Sequence, residues 1–251
     1  MDSIKSNLNK WFLKPNILGN QTLRIICIPY AGGSAAIYKS WEKLAGKDVQ
    51  LYALQLPGRG GRYEEKPYTQ MDNLVIDLFN EIRELFQEDT PYIIFGHSMG
   101  ALIGYELVRV IRKNGLNMPK HFIVSAAAAP STPRNGKTHK LSTQDLQNVL
   151  QDYNGTPNEI LENLEMLEMF LPSIRADFEL VEEYCYTQDC PLNCPITALW
   201  GTKDHLVNIR EIEKWKYHTD KKFQIKQFEG DHFFIHNYTP DIVDLVKGLS
   251  Y

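Results

Sequence analysis

Short apolar runs alternate with longer amphipathic segments along most of the 251-residue chain. The runs are rich in β-branched and aromatic residues and are bounded by glycine or proline, a pattern typical of buried strands. They predict strands over residues 22–30, 49–58, 91–96, 121–128, 196–201 and 223–230. Because helical segments separate the strands, the pattern predicts an α/β fold with a mostly parallel central sheet flanked by helices.

The segments between strands have apolar positions three or four residues apart, as expected for helices packed on a sheet. The clearest covers residues 71–87, with Asp72 as its predicted N-cap. Other helices are predicted over residues 35–45, 99–113 and 239–249.

The alternation stops between about residues 131 and 192, where helical patterns follow one another without a strand. We expect a single domain over residues 1–251 in which this helical insert lies as a lid over the carboxyl ends of the strands. Ligands bind at those ends in open α/β sheets. A helical hairpin with no role in binding is the alternative.

Composition and charge narrow the classes of function. The chain is 43% hydrophobic and 23% charged, as in ordinary globular proteins, and its net charge of -4 argues against nucleic acid or an anionic membrane surface as partner. No apolar run reaches the roughly 18 residues of a membrane span. Residues 1–16 lack the apolar core of a signal peptide, so a cytoplasmic location is expected. The four cysteines form no recognisable disulfide framework or metal-ligand set.

The stretch FGHSMG, residues 95–100, joins a predicted strand to the helical pattern that begins at Met99. Gly-x-Ser-x-Gly is common by chance, but between a strand and a helix it has the setting of a nucleophile elbow. The glycines leave room for a tight turn, and a helix N-terminus favours negative charge nearby. Ser98 is therefore the predicted nucleophile, and a serine that only caps the helix is the alternative.

A serine nucleophile needs a base, and the base needs a carboxylate to orient it. In this architecture the acid and then the histidine follow the serine along the chain. Asp204 follows the strand at 196–201, and His232 follows the strand at 223–230, so we predict these two residues as acid and base. The weaker candidates are His205, His236, Asp177, Asp189 and Asp231.

An oxyanion hole needs two backbone N–H groups that point at one place. We predict that Met99, directly after the nucleophile, supplies one. The other is expected from PYAGGSA after the first strand, where glycines let the backbone approach a substrate closely. Ala31 is the predicted donor and Gly32 the next candidate, and a simple turn is the alternative.

Six segments carry a family resemblance, in the order IPYAGGSA, LQLPGRGGRYEE, FGHSMGALIGYEL, LPSIRADFELVEEY, LWGTKDHLV and GDHFFI. Together they resemble the type II thioesterases, which are stand-alone α/β-hydrolase editing enzymes of nonribosomal peptide and polyketide synthesis. GHSMG is shared by many hydrolases, whereas PYAGGSA combined with QLPGRGGRYEE and RADFE is more specific. The resemblance covers residues 23–249 and includes every predicted site residue, but the segment before it matches nothing we can assign.

The resemblance implies an α/β-hydrolase fold and hydrolysis of acyl thioesters on the phosphopantetheine arm of carrier protein domains. Such enzymes remove aberrant or stalled acyl groups from a synthetase. We expect a monomer that needs no metal or redox cofactor and that binds neither nucleic acid nor membranes. The alternatives are another serine hydrolase or acyltransferase of this fold, such as a carboxylesterase or a chain-releasing thioesterase, and a non-catalytic binding protein.

Two basic segments have roles that the sequence leaves open. Arg59 and Arg62, in PGRGGR, are predicted to brace their loop against nearby acids, and contact with a phosphate is the alternative. Arg134, Lys137 and Lys140 form a candidate docking strip for a carrier protein, with a solvated loop as the alternative.

Overall fold

The computed structural model describes residues 10–13 and 21–249. Six strands in this part of the chain form one sheet in the order β2-β1-β3-β4-β5-β6, and every neighbouring pair is parallel. The strands are β1 (Leu23–Ile28), β2 (Val49–Ala53), β3 (Tyr92–His97), β4 (His121–Ser125), β5 (Ile196–Gly201) and β6 (Phe223–Phe228). The predicted parallel α/β sheet is confirmed.

Some predicted strands extend beyond the observed ones at their carboxyl ends. β2 ends at Ala53 and β4 at Ser125, although the apolar pattern continues for several residues. The pattern continues because Leu54, Leu56 and Ala126 are buried in the loops that follow. Burial alone therefore does not distinguish a strand from the loop that leaves it.

Helices cover both faces of the sheet, which explains why its strands are apolar at consecutive positions. In β1, Ile26 and Ile28 belong to one core and Ile25 and Cys27 to the other. The helices are α1 (Lys39–Ala45), α2 (Met71–Ile82), α3 (Met99–Lys113), α4 (Thr143–Tyr153), α5 (Asn158–Leu161), α6 (Leu164–Glu182), α7 (Ile209–Glu213) and α8 (Thr239–Gly248). None of the helices in the described ranges combines the length and the apolar character needed to cross a bilayer.

The predicted N-cap of α2 is wrong. The helix begins at Met71 with Gln70 as its N-cap, so Asp72 lies inside the first turn. Its carboxylate is there close to the positive end of the helix dipole, which stabilises the helix without a capping hydrogen bond. The pattern predicted as one helix to residue 87 continues after α2 as a 3-10 turn, Arg83–Phe86.

Between β4 and β5, where all residues are described, the chain forms α4, α5 and α6 and no strand, as the helical pattern predicted. Apolar side chains of this insert form a small core of their own, made of Leu146, Leu150, Leu161, Leu167, Leu171 and Ile174. Helix α6 contains Pro172, which has no amide hydrogen for the carbonyl four residues earlier. Beyond it, Leu180 packs into the main core, so α6 runs from one core to the other.

Residues 11–13 pair with the chain at the carboxyl end of β2, although the sequence of this region matched no family segment. Phe12 pairs antiparallel with Leu54, just beyond β2. Trp11 is buried, with the Arg62 guanidinium 4.2 Å from the centroid of its ring. This short segment therefore occupies the carboxyl end of the β2 edge, where another chain could otherwise pair.

Candidate active site

The turn from β3 into α3 holds Ser98 in a strained backbone conformation, with φ 52° and ψ -116°. Gly96 and Gly100 permit this turn, since a side chain on Gly96 would overlap the Gly100 carbonyl and one on Gly100 would overlap the Ile28 carbonyl. The Ser98 N–H donates to the Ser125 carbonyl oxygen at 2.7 Å. The sequence therefore folds into an elbow that exposes the serine hydroxyl.

Ser98, His232 and Asp204 lie in one chain of hydrogen bonds. The Ser98 Oγ is 2.9 Å from His232 Nε2, and His232 Nδ1 is 2.8 Å from Asp204 Oδ2. The other carboxylate oxygen, Oδ1, accepts the N–H groups of Leu206 and Val207 at 2.9 and 3.1 Å. The loop after β5 thus fixes the carboxylate, which in turn directs the imidazole towards the serine. The structure brings together the three residues predicted as nucleophile, base and acid.

The weaker candidates from the sequence all have other partners. Asp177 binds Arg59, Asp189 binds Arg112, and Asp231 accepts a hydrogen bond from Asn154. His205 lies 3.4 Å from Asp152, on the surface. The Nε2 atom of His236 lies 3.0 Å from the Tyr30 hydroxyl, next to the site but outside the chain of hydrogen bonds.

His97, directly before the nucleophile, is fully buried against the site. Its ring centroid is 5.5 Å from that of His232, and its Nδ1 is 2.9 Å from the Ser125 hydroxyl. Burial, and then repulsion from His232 and His236, lowers the pKa of His97 well below its usual range. It therefore packs against His232 as a neutral ring and adds no second positive charge beside it.

Ala31, Gly32 and Gly33 form the turn after β1, and their amides differ in what they bind. The Gly32 N–H donates to the Asp177 carboxylate at 2.7 Å, and the Gly33 N–H donates to the Tyr30 carbonyl oxygen at 2.9 Å. The Ala31 N–H has no bond to a protein atom in the part of the chain described. Gly32 is therefore already occupied, and Ala31 and Met99 stay the predicted oxyanion donors.

The two arginines of PGRGGR brace the loop after β2, as predicted. The Arg59 guanidinium binds both oxygens of Asp177 at 2.5 and 2.7 Å, and Arg62 binds both oxygens of Glu65 at 2.9 and 2.7 Å. Both arginines are buried. The hydrogen bond from Arg62 is the main reason why the pKa of Glu65 lies below its usual range.

Arg134, the first residue of the candidate docking strip, is bound to its own segment. Its guanidinium donates to the carbonyl oxygens of Pro130 and Thr132 at 3.1 and 2.9 Å, and it lies 5.3 Å from the ring of Tyr184. The side chain therefore holds together the segment that follows β4. Lys137 and Lys140 are exposed, so for these two lysines the docking strip and the solvated loop both stay predictions.

A cavity of about 900 Å³ opens at Ser98 and His232. The turn after β1 forms one wall. The insert forms the roof with mostly apolar side chains, which are Leu150, Tyr153, Ile160, Phe170, Ile174 and Phe178. The reactive atoms thus lie at the floor of a chamber within the size range of small-molecule binding sites.

The family model described as Thioesterase domain matches residues 23–248. The chain belongs to the thioesterase family. The predicted resemblance to type II thioesterases and the α/β-hydrolase fold are confirmed by the relatives and solved structures that follow.

This thioesterase is 37% identical over 242 residues to the gramicidin S biosynthesis protein GrsT of Aneurinibacillus migulanus, with 96% of this chain and 94% of that protein covered. It also superposes on RedJ, a thioesterase from the prodiginine pathway of Streptomyces coelicolor, with a TM-score of 0.86, 32% identity and 91% of each chain covered. BorB, the type II thioesterase from the borrelidin biosynthetic cluster, gives a TM-score of 0.85 and 35% identity over 92% of this chain and 93% of BorB.

Two features of this thioesterase were missed in the sequence. The first is the ion pair between Arg59 and Asp177, which joins two segments that the sequence singled out separately. The second is the pair of Tyr30 and His236, which line the cavity beside Ser98. In both cases the residue types were visible, but nothing local in the sequence indicates which distant side chain each one meets.

Proposed function

We propose that this thioesterase hydrolyses acyl thioesters on the phosphopantetheine arm of carrier protein domains, and that it removes aberrant or stalled acyl groups from a nonribosomal peptide or polyketide synthetase. The hydrogen-bonded chain of Ser98, His232 and Asp204 at the floor of a roofed cavity carries the proposal. The substrate class rests on the relatives, whose names place them in gramicidin S, prodiginine and borrelidin biosynthesis.

In the first half of the reaction, the Ser98 hydroxyl attacks the thioester carbonyl carbon while its proton passes to His232 Nε2. The carbonyl oxygen becomes an oxyanion held by the Ala31 and Met99 amides. The carbon–sulfur bond then breaks, and His232 returns the proton to the departing thiol. The products of this half are an acyl ester of Ser98 and the free phosphopantetheine thiol.

In the second half, a water molecule takes the place of the thiol. His232 removes one proton as the water oxygen attacks the acyl carbon, and the same oxyanion forms again. Collapse of this intermediate breaks the ester bond and returns the proton to Ser98 Oγ. Asp204 keeps its charge throughout and stabilises the imidazolium. The cycle needs neither a metal nor a redox cofactor, and we propose that the enzyme uses none.

The mechanism also sets the expected partners. The substrate is covalently bound to a carrier domain, so the surface around the cavity mouth must receive that domain. We propose acyl or peptidyl carrier domains as partners and the cytoplasm, where such synthetases act, as the location. The insert then serves as a lid that limits which acyl groups reach Ser98.

The test is a panel of acyl groups, from acetyl to aminoacyl and longer chains, each loaded on several phosphopantetheinyl carrier proteins. Intact-mass spectrometry follows the loss of the acyl group from the carrier. We expect turnover of several short acyl carriers and a covalent adduct of Ser98 with a fluorophosphonate. The matched control, Ser98→Ala, should give neither.

Simple esters of the same acyl groups separate the competing functions. Faster turnover of p-nitrophenyl esters than of any acyl carrier would indicate a carboxylesterase and overturn the editing role. Release of a full-length chain as the preferred reaction would indicate a chain-releasing thioesterase. Absence of both hydrolysis and labelling would indicate a non-catalytic binding protein.

A further inference from the structure

Residues 30–33, just after β1, form a tight turn whose shape sets the direction of the Ala31 amide. The Gly33 N–H donates to the Tyr30 carbonyl oxygen at 2.9 Å, and Gly32 has φ +75°. The trans peptide between Tyr30 and Ala31 therefore turns its carbonyl into the turn and its N–H outward. Anything that holds this turn in place also holds the predicted oxyanion donor.

Two buried side chains hold the turn from outside. Asp177 Oδ2 accepts the Gly32 N–H at 2.7 Å, and Arg59 Nη1 donates to the Gly33 carbonyl oxygen at 3.0 Å. The same two side chains bind each other through two hydrogen bonds of 2.5 and 2.7 Å. Each is only 4% exposed. The Gly32 N–H and the Gly33 carbonyl oxygen are thus both bound by one ion pair.

The ion pair joins three separate parts of the chain. Arg59 lies in the loop after β2, Asp177 lies in α6 of the insert, and the turn follows β1. The side chain of Ile174, one helical turn before Asp177, lies beside Gly32 as well. The insert therefore reaches past the roof of the cavity and contacts the turn that is predicted to bind the oxyanion.

The charges of the pair also matter to the chemistry. A lone carboxylate near the oxyanion would repel the negative charge that develops on the substrate, and this repulsion is strong in a site away from water. Arg59 neutralises Asp177 and leaves its oxygen free to accept the Gly32 N–H. Arg59 also lines the cavity, so the pair lies at the edge of the reacting site.

We propose that Asp177 and Arg59 are positioning residues for the oxyanion-binding turn. Asp177 orients the turn through the Gly32 amide. Arg59 holds it through the Gly33 carbonyl oxygen and neutralises the charge of the carboxylate. The inference rests on the proposed function, because it assumes that Ser98 is the nucleophile and that the Ala31 amide binds the oxyanion. A pair that merely stabilised the fold would affect unfolding but not the discrimination between substrate and transition state.

The test compares Asp177→Asn, Arg59→Gln, the double variant and a matched control, Glu65→Gln. The control removes the carboxylate partner of the other buried arginine in the same loop, without touching the turn. Each variant is assayed with an acetyl thioester of N-acetylcysteamine at a temperature where circular dichroism shows it folded. The readouts are kcat, KM and the inhibition constant of a trifluoromethyl ketone analogue of the acetyl thioester. Such a ketone forms a tetrahedral adduct with the serine.

Arg59→Gln should lower kcat by about 10²-fold, near the effect of losing one oxyanion donor, because it both frees the turn and exposes the carboxylate charge. Asp177→Asn should lower kcat by about 10-fold, and the double variant should be more active than Arg59→Gln because the unpaired charge is gone. The inhibition constant of the ketone should rise by the same factor by which kcat falls, while KM changes by less than about threefold. Glu65→Gln should stay within about twofold of the unsubstituted enzyme in each value.

Several outcomes would overturn the positioning role. One is a kcat within about threefold of the unsubstituted enzyme for both single variants, and another is a loss that appears in KM alone. If Arg59→Gln does not fold, the isosteric Asp177→Asn decides the question with the same readouts. Ser98→Ala is assayed in parallel, and if it keeps its activity the proposed function itself fails, whatever the other variants do.

Discussion

Gly155, in the loop between α4 and α5, lies directly against the ring of Phe233, the residue after His232. A side chain on Gly155 would overlap that ring. The neighbouring Asn154 donates to the Asp231 carboxylate at 3.1 Å, on the other side of the histidine. The insert thus touches the residues before and after the predicted base, so the position of the insert and the position of the base depend on each other.

Gly155→Ala should therefore impair catalysis. The added methyl group must displace either the insert loop or Phe233, and a shift of about 1 Å in a reacting group can cost up to about 10²-fold in rate. We expect kcat/KM to fall by 10- to 10²-fold for an acyl thioester, with little change in the melting temperature. Gly248→Ala is the matched control, since nothing lies within reach of a side chain there. Equal activity of the two variants would show that the contact with Phe233 is unimportant.

Asp204→Asn should lower turnover by about four orders of magnitude and leave the fold intact. The Leu206 and Val207 amides hold Oδ1, so the asparagine must keep its carbonyl oxygen there and point its NH₂ group at His232 Nδ1. The imidazole then accepts a hydrogen bond at Nδ1 and carries its proton on Nε2, the wrong tautomer for a base. The measurement is kcat on an acyl carrier, with Asp220→Asn, an exposed site, for comparison. Turnover close to that of Asp220→Asn would show that Asp204 is not the acid.

Stability should fall as the pH is lowered from about 6.5 to about 4. Burial is the main reason why the pKa of His121 and the pKa of His218 each lie at about 4. The unfolded chain takes up protons on these residues near pH 6.5, so over this range it binds more protons than the folded chain. The lowered pKa costs nothing above that range, and its cost levels off below about pH 4.

Urea unfolding of His218→Gln at about pH 7, 5.5 and 4.5 checks this pH dependence. The free energy of unfolding of the variant should decline less between pH 6.5 and 4 than that of the unsubstituted protein. His205→Gln, at a half-exposed position, is the control and should follow the unsubstituted protein. Parallel pH profiles for all three proteins would contradict the assignment of His218. The variant must be compared with the unsubstituted protein because His97 and His236 also have a pKa below its usual range and contribute to the pH dependence of both.

Trp11→Ala should destabilise the protein by about 3–5 kcal/mol, as for other large aromatic side chains removed from a core. The tryptophan is 3% exposed and lies under the Arg62 guanidinium at the covered edge of the sheet. Because the residue is outside the cavity lining, kcat of the folded variant should not change. Denaturant unfolding measures the loss, and Leu13→Ala, at an exposed position in the same segment, should stay within about 0.5 kcal/mol. Equal losses for both variants would mean that the ring contributes no specific packing.

The sequence was sufficient to predict the sheet, most helices and the three residues of the hydrogen-bonded chain. This succeeded because each signal is local. Ser98 lies in a strand–glycine–helix pattern, and Asp204 and His232 follow strands, so the topology alone brings them to the same edge of the sheet. The helical insert was equally visible, since amphipathic repeats without intervening strands are also a local signal.

The predictions that failed or were missed depend on geometry that the residue types alone do not specify. Arg59 and Asp177 are 118 residues apart, and either one could have met another of the many charged side chains. Arg134 lies in a basic, polar segment of the kind that docks a partner, but its guanidinium donates hydrogen bonds to carbonyl oxygens of its own segment. Asp72 shows the same limit on a small scale, because a difference of two residues in where α2 begins changes a cap into a first-turn residue.

Helix α6 has a break in its hydrogen bonding at Pro172, and the two sides of the break serve different ends. Before the proline, Leu167 and Leu171 belong to the small core of the insert. After it, Asp177 and Leu180 are anchored to the body of the enzyme. Helices bend readily at proline. A hinge at this residue would let the front half of α6 swing outward as a flap while the back half stays clamped. Substrate could then enter and product leave while Asp177 keeps its hydrogen bond to the turn after β1.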